Sequence, residues 1–194
     1  MSLRSITKVA GVNLAAVNYH FSDKETLYRE VVMRRIRPLS TLQLSLLAES
    51  CARFGTTPPP LDQIIDMMAR PLFDLYRTSG PGGRSFVQIL SRSLTQPPGT
   101  FTQLITNEYN PVLVRFGQLI RRHTPRLSPE EFLWRLSFVV GAMHHTLATL
   151  HQMSALTSGI CHNDDYDGSL SHFIAHAMTI FRAPPIEVPD PSSL

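Results

Sequence analysis

A chain of 194 residues with 43% hydrophobic content can bury a core of its own, which excludes disorder along its whole length. Its 18 basic and 15 acidic residues leave a net charge of only +3, too little to mark the whole surface for a polyanion. No apolar run reaches the roughly 18 residues of a membrane span, the N-terminus does not read as a secretory signal, and Cys51 and Cys161 show no CxxC spacing, so a cytoplasmic protein without a membrane partner is expected.

Apolar residues recur at three- and four-residue spacing, and no long stretch alternates apolar with polar, so the chain reads as all-α. The expected helices are 2–9, 13–20, 23–50, 61–78, 84–95, 100–123, 129–156 and 169–182. Gly11 separates the first two. Thr57-Pro58-Pro59-Pro60, Gly80-Pro81-Gly82-Gly83, Pro97-Pro98-Gly99, Thr124-Pro125 and the Asp-rich run 158–168 punctuate the rest. Pro38, Pro71 and Pro111 fall inside helices, where kinks are expected. Ser22-Asp23-Lys24-Glu25 and Ser128-Pro129-Glu130-Glu131 have the capping-box form of a helix start.

Residues 1–37 hold seven basic side chains against Asp23, Glu25 and Glu30, a net +4, while the remainder is near neutral. A positive head suits a site where one end meets phosphates, and a solvated basic helix face gives the same imbalance. Within this head, Ile6, Val9 and Ala10 form one apolar face, Gly11 permits a tight turn, and Val12 and Val17 face back onto it, the logic of a helix-turn-helix. Asn13-Leu14-Ala15-Ala16 presents little bulk at the start of the second helix, which suits entry into a major groove. Asn18, Tyr19 and His20 follow, then Lys24, all able to donate to phosphate oxygens.

The run from Ala10 to Tyr28, with an aromatic and His20-Phe21 followed by Lys24-Glu25, resembles the DNA-binding domain of the TetR family of transcriptional regulators. The resemblance implies base-facing positions at Asn13, Leu14 and Ala15, phosphate-facing positions at Asn18, Tyr19, His20 and Lys24, and core positions at Phe21, Leu27 and Tyr28. It also implies a further helix of some twenty residues ahead of the motif, so a head that begins at Met1-Ser2-Leu3 is read as truncated. The expected domains are a helix-turn-helix head over 1–37, a ligand-binding and dimerising helical bundle over 38–182, and an extended or disordered tail over 183–194.

The body carries no GxSxG, Walker, HExxH or GxGxxG signature, so neither an enzyme nor a cofactor is expected. Met67, Met68, Phe73, Phe86, Phe101, Leu104, Phe116 and Trp134 lie at helical spacing and are candidates for a ligand pocket, although such stripes commonly form plain core. The segment Pro129–Leu136 leading into Phe138–Ala142 resembles the fatty-acid-responsive, PsrA-like branch of the family. That resemblance implies an acyl effector in an apolar tunnel with a basic mouth, for which Arg92, Arg115, Arg121 and Arg122 are candidates, although solvated surface charge is the commoner reading of each. His144, His145 and His151 lie on one helix and His172 with His176 on the next, but no carboxylate or thiol completes a set and no metal site is expected. Gly141, Ala142, Ala148 and Ala155 keep one side of helix 129–156 small enough for close contact with a second copy. The reading is a dimeric repressor of a palindromic operator, released by a small apolar effector. The alternative is a helical carrier or enzyme that has lost DNA binding.

Overall fold

Ser2 begins the first ordered element by accepting from the Ser5 backbone while the Ser5 hydroxyl accepts from the Ser2 backbone, a reciprocal cap that opens α1 (Leu3–Ala10). In this computed structural model the backbone is described over residues 2–78, 80–93 and 100–186; the side chains of 81, 92–93, 100–102 and 104 lie outside the description. Gly11 ends α1 in the left-handed region, at φ 64 and ψ 26, a conformation nearly free of cost for glycine alone. After α2 (Leu14–Phe21) comes α3 (Lys24–Phe54), which leaves the head and runs through the body. Its cap is Asp23, whose carboxylate accepts from the Thr26 backbone at 2.7 Å, rather than Ser22. The carboxylate is the stronger acceptor at a helix N-terminus.

The body continues with α4 (Leu61–Thr78), α5 (Gly80–Ser93), α6 (Thr100–His123), α7 (Pro129–Thr149), a 3₁₀ turn at Leu150–Gln152, α8 (Met153–Leu156) and α9 (Tyr166–Arg182). Among the described residues no strand occurs, and the expected all-α class holds. Helix α4 is central. It packs against α3, α5, α6, α7 and α9, and its Ile64, Ile65, Met68, Ala69 and Leu72 are wholly buried. Ile36 from α3, Phe116 and Ile120 from α6, and Val139, Met143 and Leu147 from α7 complete that core. Each side chain of this size contributes roughly 1.5–3 kcal/mol on burial.

Several expected boundaries move. Helix α3 extends to Phe54, α9 begins at Tyr166, and the helix expected over 129–156 is broken by the 3₁₀ turn. Helices α3, α4 and α6 continue across Pro38, Pro71 and Pro111. Ser128 caps α7 as expected by accepting from the Glu131 backbone at 3.1 Å. The Glu131 side chain, however, turns to Arg135 instead of back to the cap.

Candidate DNA interface and sensing body

Asn13 caps α2 by accepting from the Ala15 backbone through Oδ1 at 2.8 Å, so the helix start is fixed by a residue for which the family resemblance implies a base-facing position. Leu14 is half-buried, while Asn13, Ala15, Asn18, Tyr19, His20 and Lys24 are all exposed. Tyr19 stands 86% exposed, with its ring edge-on to His20 at 5.3 Å. Lys24 begins α3 beside the Asp23 cap, whose carboxyl is held below its usual range chiefly by the Thr26 backbone N–H. The structure thus gathers on one short helix and the turn after it a small-residue N-terminus, an amide and a phenol able to donate, an imidazole and an ammonium. This arrangement matches what a duplex surface requires: donors for phosphate oxygens flanking a helix end slim enough to approach base edges.

Packing within the head is sparse. Thr7 is the buried residue of α1, Ile6 and Phe21 are half-buried, and Val9 is 88% exposed. Of the head's basic residues, Arg4, Lys8, Lys24, Arg29 and Arg34 are exposed, whereas Arg37 pairs with Glu108 on α6 at 3.7 Å.

The expected pocket residues divide. Met68, Phe73, Phe86 and Phe116 are buried in the closed core, with Phe73 against Phe173 at 6.4 Å between ring centres. Met67 is half-buried and lines two open grooves, one of them between α3 and α4. Phe101 and Leu104 lie outside the described side chains. Trp134 is on the outward face of α7, 58% exposed and stacked on Phe138 at 6.0 Å. Of the arginines expected at a basic mouth, Arg121 donates to the Thr124 and Leu127 carbonyls and lies over the Phe132 ring, and Arg122 donates to the Thr56 carbonyl. Arg115 stands on an open groove between α3 and α6, and the Arg92 side chain lies outside the description.

Two of the histidines are engaged within the fold. His176 Nδ1 donates to the carbonyl of His172 at 2.6 Å, so that nitrogen is turned to the helix rather than toward a shared ion. His144 is buried, with Nδ1 at 3.4 Å from the Ser91 hydroxyl. Burial lowers its pKa to about 4.

One surface escaped the small-residue reading of α7. Leu133, Trp134 and Phe138 are exposed, while Phe132, Arg135, Val139 and Met143 on the other side are buried. Apolar residues on both sides of one helix are a sequence signal for cover from both sides. Among the described residues no helix is long and apolar enough to cross a membrane.

Among the described residues a central helix is surrounded by five others, and α1 and α2 precede them on α3, which makes the fold class all-helical. Residues 66–178, more than half of the chain, match the family described as the tetracyclin repressor-like C-terminal domain. The chain belongs to that family, and with it to the ligand-responsive transcriptional regulators. Comparison with curated proteins finds no match.

Proposed function

We propose that the protein is a dimeric repressor that binds a palindromic operator through α2 and is released by a small apolar effector of acyl type. The observation that carries the DNA reading is the exposed set Asn18, Tyr19, His20 and Lys24 flanking the slim N-terminus of α2. Asn13, Leu14 and Ala15 are assigned to base edges and the other four to phosphates. The exposed Leu133, Trp134 and Phe138 support self-association through α7, and a two-fold dimer presents two heads to two half-sites. The effector assignment draws on the apolar makeup of the body and on the acyl-responsive resemblance around Trp134.

Fluorescence anisotropy with a duplex selected from a random library tests the reading. Lys24→Ala is expected to weaken selected and random duplexes alike and to reduce the dependence of log K on log salt by about one. A change of sequence preference at constant salt slope overturns the phosphate role of Lys24.

A further inference from the structure

Helices α3 and α6 run in the same direction, since Arg37 pairs with Glu108 at one end of their contact and the Arg122 guanidinium donates to the Thr56 carbonyl at 2.7 Å at the other. Between them lies an open groove of about 800 Å³, within the size range of small-molecule sites. Its α3 wall is Leu44, Leu47, Ala48 and Cys51, a stripe at three- and four-residue spacing that is about 10 Å long at 1.5 Å per residue. The α6 wall begins with Pro111 and Val114 and continues with Arg115, Gln118 and Arg122. The groove is therefore apolar at the end nearer the head and cationic toward the end near Cys51.

The charge on this groove is unbalanced. Arg115 and Arg122 stand on one face of α6, and no carboxylate lines either wall. Among the described residues Arg115 has no bonded partner, and the Thr56 carbonyl that holds Arg122 is neutral, so neither guanidinium meets an opposing charge. The neighbouring α3–α4 groove also holds arginines, but it carries Asp66 and Asp74, and Asp66 takes Arg70 in a two-pronged pair at 2.6 and 3.0 Å. Water solvates an open guanidinium at little cost, so the two cations do not demand an anion. They select one, because charge of a single sign on apolar walls favours a ligand of the opposite sign. We propose that the α3–α6 groove is the effector site and that its ligand is an amphiphilic monocarboxylate, the chain lying against Leu44, Leu47 and Val114 and the carboxylate meeting the fork of Arg115. Arg122 adds charge at the far end, and Gln118 adds an amide donor between the two arginines. The inference rests on the acyl-effector reading above and adds the place and the charge of the head group.

The test uses the full chain with Cys161→Ser, which leaves Cys51 as the single thiol, and two probes of equal length, decanoate and decanol. Decanoate is expected to slow the modification of Cys51 by a thiol reagent and to bind at least about tenfold more tightly than decanol. Arg115→Gln is expected to remove about that factor for decanoate and to leave decanol unchanged. Ala48 is exposed on the α3 wall, so Ala48→Phe fills the groove at constant charge and is expected to weaken both probes while helicity stays parental. Equal affinity of the two probes, or decanoate binding indifferent to Arg115→Gln, overturns the anionic head group. Binding that leaves Cys51 reactivity unchanged and is indifferent to Ala48→Phe lies elsewhere in the body, and overturns the proposal while the acyl reading stands. Failure of both probes to bind overturns the two together.

Discussion

Arg135 is 4% exposed and carries five hydrogen bonds. Its guanidinium donates to the Ile180, Ala183 and Pro184 carbonyls at 2.6–2.7 Å and to Glu131 at 2.5 Å, and Glu131 in turn accepts from the Ile186 backbone at 3.0 Å. The orphan carbonyls at the end of α9 and the segment 183–186 are thereby tied to α7. Arg135→Met removes the donors and leaves the largely buried Glu131 carboxylate without its cation, so a loss of about 3–5 kcal/mol in urea unfolding is expected, with Glu131→Gln costing less. His144 gives a second prediction. Its folded pKa of about 4 lies below the ordinary 6.5 because of burial, so the unfolded chain takes up the proton first. Stability is complete above the unfolded value and is lost as pH falls from 6.5 toward 4. The expected loss between pH 7 and pH 5 is about 2 kcal/mol, and His144→Gln should remove that part of the slope. A variant with the parental acid slope would show that His144 does not carry it. Neither role was legible beforehand: Arg135 meets partners 45 to 49 residues away, and His144 looked like one of several spaced imidazoles until packing buried it.

At the scale of the element, period and caps made the helices legible, and errors collected where packing overrides local preference. Gly80-Pro81-Gly82-Gly83 reads as a break, since each glycine costs about 1 kcal/mol in a helix interior. The structure instead starts α5 at Gly80, at φ 58, and proline is tolerated in a first turn. The buried Gly83, Phe86 and Val87 seat α5 on α4, a tertiary reason invisible to propensity. The same limit applies to Trp134, whose aromatic type and spacing say apolar cover without saying from where. On α7 it faces outward with Leu133 and Phe138, and the interface reading makes a direct prediction. Phe138→Lys places an ammonium in that contact but, at 59% exposure in the single chain, leaves the fold intact. Light scattering is expected to show a monomer with parental helicity, because a desolvated unpaired charge costs several kcal/mol. An undiminished dimer would remove this face of α7 from the interface.

For the whole molecule, the governing feature is that head and body share one helix. Over its 31 residues, α3 spans about 46 Å at 1.5 Å per residue. It starts with exposed Lys24, buries Val32, Met33 and Ile36, and reaches Ser40 and Gln43. An effector bound in the body against α3 can therefore change the tilt of the element that carries α2, provided that α3 moves as a rod. An effector shifts such an equilibrium only by its differential affinity for the two tilts, and the factor by which it weakens DNA equals the factor by which DNA weakens it. Softening the rod between the two sites should lower that factor without touching either site. Arg29→Gly with Glu30→Gly does so at exposed positions beyond the first turn of α3, at about 1 kcal/mol of helix propensity each. The expected outcome is an affinity for an acyl probe such as decanoate that is unchanged in the absence of DNA, with a coupling factor, measured by titrating that probe with and without saturating duplex, that falls toward one. A factor equal to the parent's in this variant would mean that the signal reaches the heads through another route, and α3 would then serve as a tether only.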